Sequence, residues 1–320
     1  MNGCFKWRAL SAMCAWLALA AGAADYVEPK LTIANAAING SSGLAASLEE
    51  VGVFFTHNDG NDNRIFAFDL EGRPRGTWRL EGVDPHDVEE MTSFFIRASH
   101  KQALVLADMG NNRSPERTPP DLFHLHVVTA PAVESIEAGT RATIIPSNAI
   151  STVRFRFEGG REDCEALAFD WVRERFLFIN KVPRSAPPSA NLTTNVYSLS
   201  LNDVLRGEEP LLVKRILTGM PPLPEQITAM DVAPDGSKAV IQTYDDAYEF
   251  DFDTDWATTF SKPYSRKIPV KVEPTGHPRD YTFREAICYG RDGKSLYITR
   301  ELSSWEIENT DRRTPLWKIR

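Results

Sequence analysis

Ser42-Gly43-Leu44-Ala45 is the first copy of a pattern that occurs five times in this 320-residue chain and that decides its fold. In every copy the first side chain carries an oxygen atom, the third residue is Leu, Met or Ile, and an apolar run follows. Successive copies begin 47, 76, 63 and 57 residues apart. A strand-rich repeat of this length is typical of a β-propeller, in which each repeat forms one blade. The other four copies are Glu89-Glu90-Met91-Thr92, Glu165-Ala166-Leu167-Ala168, Thr228-Ala229-Met230-Asp231 and Glu285-Ala286-Ile287-Cys288.

Within the repeats, short apolar runs alternate with residues that favour tight turns. In the first repeat two such runs, residues 51–56 and 64–69, flank the turn-forming pair Asp59-Gly60. In the third repeat residues 201–206 favour a short helix with Asn202 as its cap. Five repeats of about four strands each predict an all-β, five-bladed β-propeller. The fifth repeat is one strand short, and residues 30–34 precede the first repeat without a partner. We therefore expect this N-terminal strand to complete the last blade, which leaves no open sheet edge.

Two other architectures fit part of the pattern. A six-bladed propeller would need an extra blade from residues 134–157, an insertion in the longest repeat. A β-sandwich explains the short strands equally well, but it does not explain why Ser, Glu, Glu, Thr and Glu occur at one position. The repeat therefore favours a single propeller domain over residues 25–320.

The N-terminal residues 1–24 have the layout of a cleaved signal peptide. Lys6 and Arg8 precede an apolar stretch at residues 9–21, and small residues follow it. This stretch is shorter than the roughly 20 residues that cross a bilayer. Lipid attachment at Cys14, the alternative, lacks the small residue that should precede the cysteine. We therefore expect a periplasmic or secreted monomer without stable membrane insertion.

The charge of the chain bears on its partners. The formal net charge is −8, and removal of the signal peptide makes it about −10. An acidic protein repels the phosphate backbone, and no run of Lys or Arg interleaved with aromatic residues offsets this repulsion. We therefore expect no nucleic acid among the partners.

Two cysteines, Cys164 and Cys288, remain after the predicted cleavage. They belong to the third and fifth copies of the pattern, which a ring does not place side by side. A disulfide needs Cα atoms within about 7 Å of each other. We therefore expect two separate buried thiols.

The first residues of the five copies form a candidate metal site. In a propeller the first strand of each blade borders the central channel, so these side chains converge at one mouth of the channel. Carboxylates that face one another repel unless they are protonated or share a cation. Ca²⁺ accepts six to eight oxygen ligands in irregular geometry, so it suits this ring best. The candidate ligands are Ser42, Glu89, Glu165, Thr228 and Glu285.

Two alternatives to this metal site stay open. In the first, Arg161 or Arg284 neutralises the glutamates, and the mouth is charge-paired without a metal. In the second, the glutamates occupy unrelated positions at strand ends.

The loops after the second strand of each repeat face the same mouth and are rich in polar residues. Lys181, Arg113, Arg184 and Arg300 are placed to hold an anionic or phosphorylated substrate against the cation. His57 is the candidate general acid or base, because an unperturbed histidine titrates near neutrality. The catalytic candidates are thus His57, Lys181 and Arg113. Turn formation is the simpler explanation for any one of the Asn, Asp and Gly residues in these loops.

Seven phrases of the chain resemble a group of exported bacterial propellers described as phytase-like or esterase-like, and they span most of the mature chain. The ring is also similar to that of the soluble calcium-activated nucleotidases, five-bladed propellers with one Ca²⁺ in the channel. In that family Ser, Glu, Glu, Ser and Glu supply the ring, and Thr228 stands here in place of the second serine. The seven phrases are Ser42-Gly43-Leu44-Ala45, Thr56-His57-Asn58-Asp59, Asp87-Val88-Glu89-Glu90-Met91, Ala107-Asp108-Met109-Gly110-Asn111-Asn112-Arg113, Asp163-Cys164-Glu165-Ala166-Leu167, Asp231-Val232-Ala233-Pro234-Asp235-Gly236 and Glu285-Ala286-Ile287.

The oxygen ring, the basic loop residues and the resemblance lead to one functional expectation. It is an exported propeller that holds Ca²⁺ in its channel and acts as a calcium-dependent phosphoric ester hydrolase. The alternative is a non-catalytic propeller that binds a glycan, peptide or protein and in which the ion is structural. Propellers host many unrelated activities, so the fold alone does not decide between them.

Overall fold

The three-dimensional structure is a computed structural model that describes residues 31–97, 99–111, 122–182, 193–207, 210–270 and 284–319. The predicted signal peptide, residues 1–24, and the candidates Arg113 and Arg184 lie outside this part. The strands are β1 (Leu31–Thr32), β2 (Ser41–Ala46), β3 (Val53–Asn58), β4 (Arg64–Asp69), β5 (Pro74–Leu80), β6 (Val88–Ile96), β7 (Lys101–Asp108), β8 (Phe123–Thr129), β9 (Thr143–Ile145), β10 (Ile150–Phe157), β11 (Cys164–Asp170), β12 (Arg175–Asn180), β13 (Asn195–Ser200), β14 (Leu211–Thr218), β15 (Ile227–Val232), β16 (Lys238–Thr243), β17 (Asp246–Asp251), β18 (Arg266–Pro269), β19 (Arg284–Tyr289), β20 (Leu296–Arg300) and β21 (Pro315–Ile319). The helices are α1 (Leu201–Arg206), α2 (Trp256–Phe260), α3 (Ser304–Asn309) and a 3-10 turn at Ser147–Ala149.

Consecutive strands form antiparallel groups. Strands β2 to β5, β15 to β18 and β19 to β21 each pair in chain order. Strands β6, β7, β8 and β10 form another group, and β11 to β14 form the next. The last two groups are joined edge to edge by the parallel pair β10–β14, so that they make one eight-stranded sheet.

The first strands of the groups pack against one another in a closed cycle. Strand β2 contacts β6, β6 contacts β11, β11 contacts β15, β15 contacts β19, and β19 contacts β2 again. The other strands of each group follow outward from this ring by hydrogen bonding. The protein is therefore all-β with a propeller-like arrangement of sheets, as the sequence predicted.

The two ends of the described chain meet in the last sheet. Strand β1 pairs antiparallel with β21, with Leu31 opposite Leu316 and Thr32 opposite Pro315. The sheet order β1-β21-β20-β19 confirms that an N-terminal strand supplies the outer strand that the fifth repeat lacks. The pairing is shorter than the sequence suggested, because only two residues of the run at 30–34 form a described strand.

Residues 134–157 supply strands to two different sheets. Strand β9 pairs parallel with β5 at the edge of the first sheet. Strand β10 pairs antiparallel with β8 and parallel with β14. This segment therefore extends neighbouring sheets and does not form a sheet of its own.

Aromatic side chains fill the space at the junction of β10 with the next group. Phe157 of β10 packs against Phe178 of β12 and Tyr197 of β13, with ring centroids 5.7 and 4.9 Å apart. Phe155 lies 5.6 Å from Phe178 by the same measure. All four side chains are fully buried. Aromatic pairs of this geometry add to the free energy of burial and fix one sheet against the next.

The predicted helix at residues 201–206 is confirmed as α1, but its cap is a different residue. The Ser200 hydroxyl accepts a hydrogen bond from the backbone N–H of Asn202 at 3.1 Å, so Ser200 is the N-cap. The prediction that Asn202 caps this helix is wrong by two residues. The helix ends at Gly207, whose φ of 69° is the left-handed conformation that glycine adopts without strain.

Both cysteines of the described chain are buried and unbridged, as predicted. The Cys164 thiol donates to the carbonyl oxygen of Ile179 at 3.1 Å. Burial raises the pKa of both thiols well above the ordinary value, so neither is a reactive thiolate.

No helix among the described residues has the length and apolar character needed to cross a membrane.

Candidate metal centre at the channel mouth

All five residues predicted to form the oxygen ring occupy the same structural position, a β-bulge. In each group the pairing of the first strand with the second skips one residue, which lies between two paired residues. A bulge leaves the extra residue outside the ladder and turns its side chain away from the regular alternation. All five side chains are buried. The skipped residues are Ser42, Glu89, Glu165, Thr228 and Glu285.

The two hydroxyl residues of this ring connect neighbouring first strands. The Ser42 hydroxyl of β2 donates to the backbone carbonyl of Glu89 in β6 at 2.8 Å. The Thr228 hydroxyl of β15 donates to the carbonyl of Arg284 in β19 at 2.7 Å. Both bonds are buried. The first satisfies the carbonyl of Glu89, the residue that its bulge leaves unpaired, and the second satisfies the carbonyl of Arg284, which directly precedes the bulge at Glu285. The two residues therefore stabilise the ring itself.

Substitution of Ser42 tests whether its hydroxyl stabilises the ring or acts as a Ca²⁺ ligand. We expect Ser42→Ala to lower the free energy of unfolding by about 1–3 kcal/mol, because the Glu89 carbonyl loses a buried partner. The expected change in Ca²⁺ affinity is less than about threefold. Urea denaturation and a Ca²⁺ titration measure the two quantities, with the exposed Ser99→Ala as the matched control. Unchanged stability with a large loss of Ca²⁺ affinity would instead identify the hydroxyl as a ligand.

The three glutamates of the ring influence one another electrostatically. Burial raises the pKa of Glu89 well above its ordinary value, and the charges of Glu165, Asp59, Asp87 and Glu285 raise it further. Burial also raises the pKa of Glu165, although Lys181 acts in the opposite direction. Side chains from the first strands of three different groups therefore face one shared region.

Two aspartates that the ligand prediction did not include complete the densest part of this region. Asp59, Asp87 and Glu89 each place one carboxylate oxygen so that all three atoms lie within 4.8 Å of one another. Asp59 belongs to the turn after β3, and Asp87 directly precedes β6. The two segments are tied together because the N–H of Val88 donates to the Gly60 carbonyl at 2.8 Å.

The electrostatics of Asp59 reflect this crowding. Burial, and then the charges of Glu285 and Asp87, raise its pKa from 3.8 to about 7. A sixth carboxylate, Glu301, has a raised pKa because of burial, the charge of Glu285 and a side-chain hydrogen bond with Glu285. We call the six carboxylates the mouth cluster: Asp59, Asp87, Glu89, Glu165, Glu285 and Glu301.

Gly110 allows the mouth cluster to form, because its backbone passes directly against two of the carboxylates. A Cβ atom at this position would lie 2.2 Å from Glu89 Oε1 and 2.5 Å from Asp87 Oδ2. The N–H of Gly110 also donates to the Asp87 carbonyl at 3.0 Å. Any side chain at position 110 would therefore displace these carboxylates.

We expect Gly110→Ala to weaken Ca²⁺ binding by at least about tenfold, because the Cβ atom pushes two ligands out of position. The fold is expected to persist, since the substitution lies in a loop between β7 and β8. Calorimetric Ca²⁺ titration measures the first effect, and far-UV circular dichroism the second. Wild-type affinity in this variant would show that the carboxylates beside Gly110 do not bind the ion.

Lys181 is the cation that the structure places in the mouth cluster. Its ammonium group pairs with Glu165 and donates to the Tyr244 hydroxyl at 2.8 Å. Burial lowers the pKa of Lys181, but the charges of Glu165, Tyr244 and Glu285 outweigh burial and raise it above the ordinary value. The lysine is therefore fully charged at neutral pH and offsets one carboxylate. The predicted catalytic lysine does lie at the site.

His57 does not match its prediction. The imidazole is completely buried in β3, and Nδ1 lies 2.8 Å from the carbonyl oxygen of Asn58. Burial lowers its pKa to about 4 despite that hydrogen bond. The expectation of a histidine that titrates near neutrality in a polar loop is therefore wrong, because the second strand extends through His57 and Asn58 and carries the ring into the core.

Two arginines that the sequence analysis placed at the mouth make other contacts instead. Arg300 is buried and pairs with both carboxylate oxygens of Glu306 at 2.9 and 2.6 Å, so it does not face an anion at the mouth. Arg284 donates to the carbonyls of Tyr244 and Val270 and lies 3.6 Å from Asp245. Burial lowers the pKa of Arg284 to about 10. Among the described residues, the ion pair at the mouth is thus made by Lys181, and the charge-pairing alternative built on Arg284 is not what the structure shows.

Comparison with known proteins gives little information. No protein-family model and no curated protein matches the chain. A solved structure titled "Structure of U3-55K" aligns with 91% of this chain and 98% of its own, at 11% identity and a TM-score of 0.43. A similarity of this level carries no functional conclusion.

Proposed function

We propose that this protein is an exported five-bladed propeller whose channel mouth binds Ca²⁺ and uses the ion to hydrolyse a phosphate ester. Three observations support the blade count. Five first strands contact one another in a closed cycle. The strand pairing of β1 with β21 joins the two ends of the described chain. Residues 134–157, the source of a sixth blade, instead extend two existing sheets.

The mouth cluster suits Ca²⁺ in size and in chemistry, and this observation carries the proposal. Two oxygens bound to one Ca²⁺ at about 2.5 Å are at most about 5 Å apart, so the 4.8 Å limit among Asp59, Asp87 and Glu89 fits one ion. An upper limit of 4.8 Å also admits the shorter spacing of Mg²⁺, so the preference for Ca²⁺ over Mg²⁺ rests on the larger number of oxygens that Ca²⁺ accepts in irregular geometry. The ligand group contains only carboxylates, which favours a hard cation over zinc or copper.

The ion also resolves the charge imbalance of the mouth. Six carboxylates face one lysine among the residues that the structure describes. An anionic substrate alone would be repelled from such a surface. When bound, Ca²⁺ supplies Lewis-acid polarisation of a phosphoryl oxygen and lowers the pKa of a coordinated water.

The residues of the chain then have separate tasks. Asp59, Asp87 and Glu89 would hold the ion. Lys181 presents an N–H donor that is oriented by Glu165 and Tyr244. Such a donor, held in place before the substrate arrives, stabilises negative charge that develops on a phosphoryl oxygen.

A second candidate function is a non-catalytic propeller in which the ion rigidifies the mouth and the face binds a glycan, peptide or protein. The burial of His57 and the ion pair of Arg300 favour it, because they remove two groups that the hydrolase would use. Propellers with either function share the same fold.

Turnover assays distinguish the two functions. Metal-stripped protein is tested with and without Ca²⁺ on nucleotides, phytate and phosphodiesters, together with Glu165→Gln and the exposed control Glu308→Gln. The hydrolase predicts Ca²⁺-dependent turnover that Glu165→Gln lowers by at least about 100-fold and that the control retains. Absence of turnover in wild-type protein that nevertheless binds Ca²⁺ would contradict the hydrolase and leave the binding function.

A further inference from the structure

A second group of possible metal ligands lies outside the mouth cluster, at the junction of β7 and β8. Asp108 ends β7, and its cross-strand partner in β8 is His124. His126 follows two residues later, so the two histidines lie on the same face of the sheet. Asp108 Oδ2 is 3.6 Å from His124 Nδ1 and 4.0 Å from His126 Nε2. The two imidazole rings are nearly parallel, with centroids 5.8 Å apart.

The orientation of His126 is set by a neighbouring strand. Its Nδ1 lies 3.0 Å from the Thr152 hydroxyl of β10, directly opposite in the strand pairing. Its Nε2 has no hydrogen-bond partner among the described residues, although the residue is only 5% exposed. With the Nδ1 proton donated to Thr152, Nε2 carries the lone pair and lies 4.0 Å from Asp108 Oδ2. Metal-binding histidines characteristically have one nitrogen fixed in this way.

The carboxylate is fixed as well. Asp108 Oδ1 accepts a hydrogen bond from the backbone N–H of Asp87 at 2.7 Å, and the N–H of His86 lies 3.1 Å from Oδ1 and 3.0 Å from Oδ2. These bonds hold the carboxylate in place, and Oδ2, which retains a second lone pair, lies 3.6 and 4.0 Å from the two histidine nitrogens.

We propose that Asp108, His124 and His126 bind a transition-metal dication of the Zn²⁺ class, at a site separate from the mouth cluster. Unlike the triad of the mouth, this group does not have all three ligand atoms within 4.8 Å of one another. Ligands of a tetrahedral Zn²⁺ at about 2.0 Å are about 3.3 Å apart, so the two histidine nitrogens must approach each other by more than about 1.5 Å. Rotation of His124, whose side chain is about one-third exposed, toward His126 provides this closure. The same exposure leaves a fourth coordination position for water.

The donor set separates this site from the mouth cluster. Two imidazole nitrogens and one carboxylate suit Zn²⁺, Co²⁺ or Ni²⁺, whereas a carboxylate-only set suits Ca²⁺. The two sites are therefore expected to prefer different metals. The inference does not depend on the proposed hydrolase function.

The test uses untagged, metal-stripped full-length protein titrated with Co²⁺, whose visible d–d absorption reports tetrahedral nitrogen ligands. We expect one equivalent of Co²⁺ to bind and to be displaced by Zn²⁺. His124→Gln and His126→Gln are each expected to weaken Zn²⁺ binding by at least about 100-fold, and Thr152→Val by about tenfold. His124 is partly exposed, so its variant separates loss of a ligand from loss of the fold.

Two matched controls accompany the titration. His100→Gln, an exposed histidine in a turn, and Asp59→Asn in the mouth cluster are both expected to bind Zn²⁺ as the wild-type protein does. His126→Gln is expected to retain Ca²⁺ binding. Absence of Co²⁺ and Zn²⁺ binding in the wild-type protein, or equal binding by His124→Gln, would overturn the proposed site without affecting the Ca²⁺ site.

Discussion

Glu89→Gln is expected to abolish the stabilisation of the protein by Ca²⁺ while making the metal-free protein more stable at pH 7. The ionised carboxylate is unfavourable in the metal-free state, because burial and neighbouring charges raise its pKa. A neutral amide removes that repulsion. The same amide is a poor substitute for a charged ligand, so Ca²⁺ affinity falls by at least about 100-fold.

The size of this effect follows from mass action. At a free Ca²⁺ concentration 100 times the wild-type Kd, the ion stabilises the native state by about 2.7 kcal/mol. A variant with 100-fold weaker binding gains only about 0.4 kcal/mol at that concentration. Thermal unfolding with and without Ca²⁺ measures both numbers, with the exposed Glu308→Gln as the matched control. If the Glu89→Gln protein keeps the full Ca²⁺-induced stabilisation against thermal unfolding, Glu89 is not a ligand of the ion.

The pH dependence of stability provides the second large prediction. The folded-state pKa of Asp59 is raised from 3.8 to about 7, so the native state binds more protons than the unfolded state between these values. Its contribution to stability is therefore fully present below about pH 4 and is lost as the pH rises through 7. The loss is on the order of 4 kcal/mol, since one pKa unit corresponds to about 1.4 kcal/mol.

Ca²⁺ is expected to reverse this trend, because the ion favours the ionised carboxylates and its stabilising effect grows with pH. Urea denaturation between pH 4 and 8, with Ca²⁺ or with a chelator, measures the slope in both states. Asp59→Asn should flatten the metal-free slope. Asp231→Asn should flatten the metal-free slope as well, because burial also raises the pKa of Asp231 to about 7, but it should leave the effect of Ca²⁺ unchanged, since Asp231 bonds to the backbone of Tyr289 and Val232. A metal-free protein whose stability rises from pH 4 to 7 would contradict the claim that crowding in the mouth cluster raises the pKa of Asp59.

The strands and the positions of the ring residues could be predicted because they depend on local sequence. Apolar runs bounded by turn residues located β4 and α1 with the bounds that the structure shows. The recurring oxygen-bearing residue located all five bulges, since a buried polar group at a fixed register needs a special backbone position. The missing strand of the last repeat located the pairing of β1 with β21.

Other features depend on contacts between distant segments and have no local signal. Asp59 belongs to a turn-forming pair, and only the bridge from Gly60 to Val88 brings it beside Asp87. The parallel pair β10–β14, which fuses two groups of strands, leaves no periodic trace in either strand. Glu306 lies beside Arg300 because it belongs to the capping box that Ser303 forms at the start of α3. The strand pattern of the sequence did not reveal this helix.

The central claim is that carboxylates from separate sheets meet around one ion, and anomalous scattering from Ca²⁺-grown crystals tests it most directly. The account predicts one calcium peak at about 2.3–2.6 Å from oxygens of Asp59, Asp87 and Glu89. A mouth without a peak at millimolar Ca²⁺, with its carboxylates bonded only to Lys181 and to one another, would contradict it.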